Sequence, residues 1–428
     1  MTRMKDSGIE WIGEVPEEWG IKPIKHIFGA IGSGTTPDSS KVEYYDGNIN
    51  WLQSGDLYKK DYVYAVSKTI TDLGYRSSAS LRIYQAPFLA IAMYGASIGN
   101  LAISKIDACV NQAVAVLKGE ENIVRFTKLA LEISKTELIF AAQGGTQPNI
   151  NQVLIKNWVI PFPSEIEIKK IADFLDKKVA QLDKVKSLLE EQIKTLEDYR
   201  QSLIYETVTK GLDKTVPLKA SGVDWIGQIP EGWEIGRLKD FVKFQTGTTP
   251  PQSVGVNQDE SGVPWFKPGD FSDNSIDLLS SENHITHEVV MQYNLSVYPK
   301  KTILLVGIAS IGKVGYSAQP SYSNQQITAL RTIGEIYPRY LAYLMFSSGR
   351  FIKETALYTV VPIINNQYLA TMRLVLPSEN EQKIIVEYLD RKLEQINQMI
   401  AIKKEQIENI NKQRQTLIYD YVTGKRRV

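Results

Sequence analysis

The sequence has little of what disulfide, metal or membrane chemistry requires. Its single cysteine, Cys109, cannot form an intramolecular disulfide or a cysteine-rich zinc site, and there are only three histidines. The longest apolar stretches, around residues 87–98 and 302–311, are shorter than the roughly 18 to 20 residues that span a bilayer. Residues 1–10 are polar and lack the apolar core of a secretory signal. We therefore expect a cytoplasmic protein with no membrane segment and no metal of its own.

An excess of charge of either sign is also missing. The 49 basic and 48 acidic residues give a net charge of +1, which indicates neither a nucleic acid, nor a membrane surface, nor an acidic substrate. The 43% hydrophobic content exceeds that of a disordered chain. A length of 428 residues predicts two or three domains with cores of their own.

The chain is instead dominated by an internal repeat. The segment Ser7-Gly-Ile-Glu-Trp-Ile-Gly-Glu-Val-Pro-Glu-Glu-Trp19 returns 214 residues later as Ser221-Gly-Val-Asp-Trp-Ile-Gly-Gln-Ile-Pro-Glu-Gly-Trp233. The repeat continues to the end of the sequence at an offset of 213 or 214 residues, which excludes a chance origin. Further matched pairs are Gly34-Thr-Thr-Pro37 with Gly247-Thr-Thr-Pro250, Ala96-Ser-Ile-Gly99 with Ala309-Ser-Ile-Gly312, Asn111-Gln112 with Asn324-Gln325, and Arg200-Gln-Ser-Leu-Ile-Tyr205 with Arg414-Gln-Thr-Leu-Ile-Tyr419.

Each repeat has two parts of different texture. Residues 1–163 and 211–377 mix short β-branched runs with turn residues, which is typical of a mixed α/β domain. Residues 164–209 and 378–423 contain no glycine or proline and begin with a Ser-Glu pair that can cap a helix. We predict an α+β protein in four segments: a domain over 1–163, a long helix over 164–210, a second domain over 211–377 and a second long helix over 378–428.

Apolar residues recur every seven positions in both predicted helices, as in a coiled coil. Because the repeats are equivalent, a pseudo-two-fold axis makes the two helices antiparallel and turns them into a spacer between the domains. Two separate helices, each packed on its own domain, are the alternative. The predicted seam comprises Leu175, Leu182, Leu189, Leu196 and Leu203 in the first helix and Leu389, Ile396, Ile410 and Leu417 in the second.

These motifs together resemble the DNA-specificity subunit of type I restriction-modification systems, over essentially the whole chain and in both halves. The resemblance implies two target-recognition domains, each of which reads one half of a bipartite site in double-stranded DNA. It also implies that the helices form an antiparallel coiled coil and bind methyltransferase subunits, two of them, and through these the restriction subunits. S-adenosylmethionine, ATP and Mg²⁺ are then expected in the partner subunits, and this chain needs no cofactor and performs no catalysis.

Base reading requires paired donors and acceptors on loops, and phosphate contacts require hydroxyl, backbone N–H or basic groups. The Gly-Thr-Thr-Pro loops suit phosphate contact, although a purely structural turn explains them equally well. The Asn-Gln pairs occur in both repeats, which favours a backbone-contacting or structural role. The candidate DNA-contacting residues are Ser33, Gly34, Thr35, Thr36, Lys59, Lys60, Tyr94, Ser97, Asn111, Gln112, Gln143, Thr146, Gln147 and Asn149 in the first repeat, and Thr246, Thr248, Thr249, Lys267, Ser310, Lys313, Asn324 and Gln325 in the second.

Two other functions compete with DNA recognition. The first is a coiled-coil scaffold whose domains bind protein. The second is a nucleotide hydrolase, because the segment from Gly307 to Lys313 resembles a P-loop. Val314 stands where that motif needs a magnesium-binding Ser or Thr, so a strand followed by a turn is the better account.

Overall fold

The computed structural model describes residues 3–142, 148–250, 262–355 and 363–428. The chain divides into two compact units. Unit 1 consists of Met1–Leu188 and Glu405–Val428, and unit 2 consists of Leu189–Lys404. Each unit contains one globular domain and a part of each long helix. The four sequence segments divide the chain differently and stay a prediction.

The first half of the chain contains twelve strands and five helices within its described residues. The strands are β1 Met4–Asp6, β2 Glu14–Pro16, β3 Gly20–Pro23, β4 Ala30–Ser33, β5 Tyr45–Leu52, β6 Tyr62–Val63, β7 Thr69–Ile70, β8 Phe88–Ala92, β9 Leu101–Ser104, β10 Cys109–Val110, β11 Val114–Lys118 and β12 Val159–Phe162. The helices are α1 Asp72–Arg76, α2 Glu121–Ile133, α3 Lys135–Ala141, α4 Gln152–Asn157 and α5 Glu165–Lys210.

The second half repeats this pattern in its described residues. Its strands are β13 Leu218–Ala220, β14 Gln228–Pro230, β15 Glu234–Arg237, β16 Val242–Thr246, β17 Val263–Phe266, β18 Asp277–Leu278, β19 His284–Ile285, β20 Thr302–Val306, β21 Val314–Ser317, β22 Tyr322–Ser323, β23 Ile327–Thr332 and β24 Arg373–Leu376. Its helices are α6 His287–Gln292, α7 Pro338–Ser347, α8 Gly349–Thr355, α9 Asn366–Thr371 and α10 Glu379–Val422.

A five-stranded sheet forms the centre of each domain. Its order is β4-β11-β8-β9-β6 in unit 1 and β16-β23-β20-β21-β18 in unit 2. Neighbouring strands are antiparallel except at one edge, where β6 pairs with β9 and β18 with β21 in parallel. The central strands β8 and β20 have the sequences FLAIA and TILLV, and all five residues of each are buried. Such continuously apolar strands need cover on both faces, which the helices and a second, three-stranded sheet provide.

The long helices begin where the sequence predicts. The Ser164 hydroxyl accepts the backbone N–H of Glu167 at 3.3 Å, and the Ser378 hydroxyl accepts that of Glu381 at 3.4 Å. The opening segments pack on these first turns. The indole N–H of Trp19, 1% exposed, donates to the Glu167 carboxylate at 3.1 Å, and Trp233 donates likewise to Glu381 at 3.0 Å. Both tryptophans are core anchors.

Helices α5 and α10 run antiparallel within each unit. In unit 1 the rings of Phe174 and Tyr421 lie 4.6 Å apart, and Arg414 Nε lies 3.3 Å from Asp183 Oδ1. In unit 2 Lys403 donates to Gln192 at 2.6 Å and Arg200 to Asn397 at 3.2 Å. Residue numbers thus rise along one helix as they fall along its partner, so the fold is the predicted antiparallel coiled coil rather than two separate helices.

The predicted seam is buried to different degrees. Leu175, Leu389 and Ile396 are at most 2% exposed. The other members are partly buried: Leu182, Leu189, Leu196, Leu203, Ile410 and Leu417. Within the described ranges, no helix combines the length and apolar character needed to cross a membrane.

In each unit, an arginine on a helix of the globular domain (α2 or α7) forms an ion pair with one of the two long helices (α5 or α10). Arg125 of α2 lies 2.7 Å from Asp176 of α5, and Arg339 of α7 lies 2.9 Å from Asp390 of α10. Arg339 also binds Asp277 at 2.6 Å. Burial by itself lowers the pKa of Arg339, but the hydrogen bond to Asp277 and the neighbouring carboxylates raise it above its ordinary value. The guanidinium therefore stays charged.

Replacement of Arg339 by Ala is expected to lower the free energy of unfolding of unit 2 by about 1 to 3 kcal/mol, because Asp277 and Asp390 lose their shared cation. The lower end of that range reflects solvent screening, since both aspartates are 39% exposed. Arg350→Ala is the matched control, because its pair with Glu354 is 90% and 62% exposed. Urea unfolding measures both variants, and equal losses would contradict the anchoring role of Arg339.

Candidate nucleic-acid interface

Four loops meet beside the central sheet of unit 1. They contain residues 33–36, 93–94, 111–112 and 149–152, which we call loop cluster 1. The Thr36 hydroxyl donates to Gln112 Oε1 at 2.6 Å, and Gln152 Nε2 donates to the Ser33 hydroxyl at 2.7 Å. The backbone N–H of Ile150 donates to the Met93 carbonyl at 2.8 Å. Segments that are distant in sequence are therefore fixed against one another by polar contacts.

Close backbone contact explains the glycine of the Gly-Thr-Thr-Pro loop. A Cβ atom on Gly34 would lie 1.8 Å from the carbonyl oxygen of Val110. Any other residue must move the loop away from β10 and the Asn-Gln turn that follows it. The structural interpretation of this glycine is thereby supported, while Thr36 remains exposed.

Unit 2 has the equivalent loop cluster 2, formed by residues 246–249, 307–308, 324–326 and 364–367. Thr249 donates to Gln325 Oε1, as Thr36 does to Gln112. Asn366 joins two further elements, since its Nδ2 donates to the Thr246 hydroxyl at 3.2 Å and its Oδ1 accepts from Thr328 at 2.9 Å. These loops line an open cavity of about 410 Å³.

The Asn-Gln pairs divide into a structural and an exposed residue. The side-chain oxygens of Asn111 and Asn324 each accept a backbone N–H two residues further on, at 3.1 Å. Asn324 is only 8% exposed. The adjacent Gln112 and Gln325 are exposed and present carboxamides to solvent. A carboxamide has the donor and acceptor that recognise an adenine edge, so the glutamines are the better candidates for base contact.

The loop clusters contain most of the predicted residues. Ser33, Gly34, Thr35, Tyr94 and Asn111 are partly buried, Asn324 is buried, and the exposed members are Thr36, Gln112, Asn149, Thr246, Thr248, Thr249 and Gln325. Gln143, Thr146 and Gln147 lie outside the described residues. Lys267 lies elsewhere: its ammonium group is 5.6 Å from the ring centroid of Trp265, and its backbone N–H donates to Asp270 at 2.7 Å.

Two residues of the loop clusters escaped the sequence analysis, Gln152 and its counterpart Asn366. Each follows an asparagine whose side chain caps a short helix: Asn151 accepts from Leu154 N at 2.8 Å and Asn365 from Tyr368 N at 2.9 Å. The Ile-Asn dipeptide before them is repeated at the 214-residue offset. That repeat was the signal available in the sequence.

The predicted lysines Lys59 and Lys60 lie in a second depression, recess 1, about 200 Å³ in volume and bordered by Gly99 and Asn100. The turn over residues 95–99, which carries Ser97, runs from loop cluster 1 to this recess. At its base Lys128 binds Asp61 and lies 3.2 Å from Glu132. Burial opposes the charged form of Lys128, but Glu132 and Asp61 raise its pKa above the ordinary value.

The equivalent recess 2 in unit 2 has a volume of about 620 Å³ and is bordered by Ser310 and Lys313. Lys313 Nζ lies 3.1 Å from Asp273 Oδ2 and donates to the Phe271 carbonyl at 3.2 Å. The segment that resembles a P-loop joins strand β20 to strand β21, which confirms a strand followed by a turn.

Comparison with known proteins identifies the same repeat. The family model described as "Type I restriction modification DNA specificity domain" matches residues 16–197 and again residues 230–411. The specificity subunit of the type I restriction enzyme MjaIX from Methanocaldococcus jannaschii is 24% identical over 97% of this chain and 95% of its own length. The EcoBI specificity subunit from Escherichia coli is 25% identical over 71% of this chain and 65% of its own length.

Solved structures share the fold. One chain, from a study of complex assembly and conformational transition of the type I R-M system, superposes with a TM-score of 0.75 at 16% identity, covering 95% of this chain and 98% of that one. The HsdS subunit from Thermoanaerobacter tengcongensis gives a TM-score of 0.52 at 18% identity, covering 96% and 98%.

We expect Gln112→Ala to accelerate amide exchange in residues 34–36, because the Thr36 hydroxyl loses its partner across the loop cluster. Strands β4 and β11 should keep their protection. Gln325→Ala should do the same to residues 246–249. Hydrogen exchange with mass spectrometry measures both, with Gln228→Ala as a control, because Gln228 is exposed and lies in β14, outside both loop clusters. Unchanged exchange in both loops would contradict the cross-loop bonds.

Proposed function

The chain belongs to the type I restriction-modification DNA specificity family, and from this we propose how its two units share the recognition of DNA. Each globular domain reads one half of a bipartite site in double-stranded DNA, with its loop cluster facing the duplex. Methyltransferase subunits bind the two long helices, and restriction subunits join through them.

The observation that carries this proposal is the pair of loop clusters on one scaffold. Both units have the same sheet order and the same Thr-to-Gln bond between loops. The neighbouring side chains differ: the partly buried Gln152 and the exposed Val153 stand where unit 2 has the partly buried Asn366 and the exposed Gln367. A constant frame with variable exposed side chains is what two readers of different base sequences require.

The chemistry belongs to the partners in this proposal. We place S-adenosylmethionine, ATP and Mg²⁺ in the methyltransferase and restriction subunits, and none in this chain. The nucleotide-hydrolase alternative has little support, because the segment that resembles a P-loop joins two antiparallel strands, whereas a P-loop leads into a helix, and Val314 stands where the magnesium-binding Ser or Thr is needed. The scaffold alternative does not require the paired donor and acceptor that the carboxamides of Gln112 and Gln325 offer at the same place in both units.

Methylation sequencing tests the proposal directly. In cells that co-express this chain with a partner methyltransferase, we expect a bipartite adenine-methylation motif that is absent when either protein is missing. A Gln112→Ala and Gln325→Ala double variant should weaken or alter the motif. Formation of a soluble complex without any motif would contradict DNA recognition and favour the scaffold.

Exchange of the first domain tests the division between the units. Replacement of residues 20–163 by the corresponding domain of another family member is expected to change one half-site only, because loop cluster 2 is untouched. The reciprocal exchange of the second domain is the matched control and should change the other half-site. A change of both half-sites by either exchange would disprove the assignment of one half-site to each unit.

A further inference from the structure

Each unit has a lysine ammonium group at the same place, where the turn from the loop cluster enters the recess. In unit 1 this is Lys135, the first residue of α3, whose Nζ donates to Asn100 Oδ1 at 3.0 Å. In unit 2 the position of Lys135 is taken by Gly349, the first residue of α8, and the position of Asn100 by Lys313. The cation is therefore present in both units, although opposite walls supply it.

Packing shows why the lysine is on opposite walls. In unit 2 the turn and α8 are in direct backbone contact, since a Cβ on Gly312 would lie 2.5 Å from the Gly349 carbonyl oxygen. In unit 1 the Lys135 side chain fills this space, and a Cβ on Gly99 would lie 2.9 Å from Lys135 Cε. The two arrangements exclude each other sterically, yet each of them retains an ammonium group at this turn.

Neither Lys135 nor Lys313 is paired with a buried carboxylate. Recess 1 is lined by four lysines and two carboxylates, Asp61 and Glu132. Lys128 holds both carboxylates, and Arg414 also binds Glu132, so the side-chain acceptor of Lys135 is a neutral amide. The one carboxylate that lines recess 2 is Asp273, which is 76% exposed and pairs only weakly with Lys313 in water, while Arg350 pairs with Glu354.

We propose that Lys135 and Lys313 are equivalent contacts to a DNA phosphate, one in each unit and independent of base sequence. This inference rests on the proposed function. A group that is present in two readers of different half-sites cannot select a base, whereas phosphates are the same in both half-sites. The turns over residues 95–99 and 308–312 join each recess to its loop cluster, so a duplex read by the cluster brings its backbone to the recess.

Salt dependence of binding tests this assignment. The full-length chain is titrated with a fluorescent duplex of random sequence between about 50 and 200 mM salt, because each phosphate contact adds about 0.9 to the slope of log K against log salt. Lys135→Gln and Lys313→Gln should each lower the magnitude of that slope by about 0.9, and the double variant by about 1.8. Lys68→Gln and Lys300→Gln, exposed and outside both recesses, are matched controls that should leave it unchanged.

If Lys135→Gln fails to fold, a variant that moves the positive charge across the recess still tests the assignment by its salt dependence. The Asn100→Lys and Lys135→Gly double variant moves the ammonium group to the opposite wall, as in unit 2, and should keep the wild-type slope. Wild-type slopes for Lys135→Gln and Lys313→Gln, with native melting temperatures, would overturn the assignment, as would a wild-type chain that binds no random duplex. The proposed function is tested separately by the bipartite methylation motif. Lys135→Gln and Lys313→Gln should leave the sequence of that motif unaltered.

Discussion

The ion pair between a domain helix and a long helix is the constraint on which the rest of each unit depends. Arg125 and Arg339 are buried on one side by their own domain and meet Asp176 and Asp390 on the long helix. Loss of such a pair leaves carboxylates without their cation, so the contact fixes each domain at one place on its helix. Tyr343 adds a hydrogen bond to Asp390 at 2.5 Å in unit 2. The loop clusters are positioned by a domain that cannot slide along this helix.

Arg414 and Arg200 occupy equivalent positions on the two long helices but have different partners. Arg414 binds Glu132 and Asp183 in unit 1, and although burial opposes its charge, Glu132 raises its pKa. Its counterpart Arg200 is 3% exposed and donates to the amides of Asn274 and Asn397, and burial lowers its pKa. Asn397 stands 214 residues after Asp183, so an amide replaces that carboxylate, whereas Phe346 stands at the position of Glu132. Both units therefore have an arginine at this position of a long helix, but it forms ion pairs in unit 1 and hydrogen bonds to amides in unit 2.

Much of the fold could be predicted because it depends on local patterns. The repeat predicted two equal units, and helix boundaries followed from Ser164 and Ser378, whose hydroxyls act within one turn of the chain. The heptad pattern predicted that the long helices pair, and the equivalence of the two repeats predicted that they run antiparallel. The candidate site was predictable only in part. Gln152 donates a hydrogen bond to Ser33, which is 119 residues away in the sequence, and no local sequence pattern predicts such a contact.

The sequence by itself determined the duplication, the four-part texture, the apolar seam and the absence of an intramolecular disulfide, since each follows from spacing or composition. Only the tertiary structure decided which polar loops meet, that Asn324 shapes a turn while Gln325 faces solvent, and that Lys313 is held by Asp273. It also decided that Lys135 and Lys313 occupy equivalent places from opposite walls. These facts depend on distances between residues far apart in sequence, which are fixed when the sheet brings its connecting loops together.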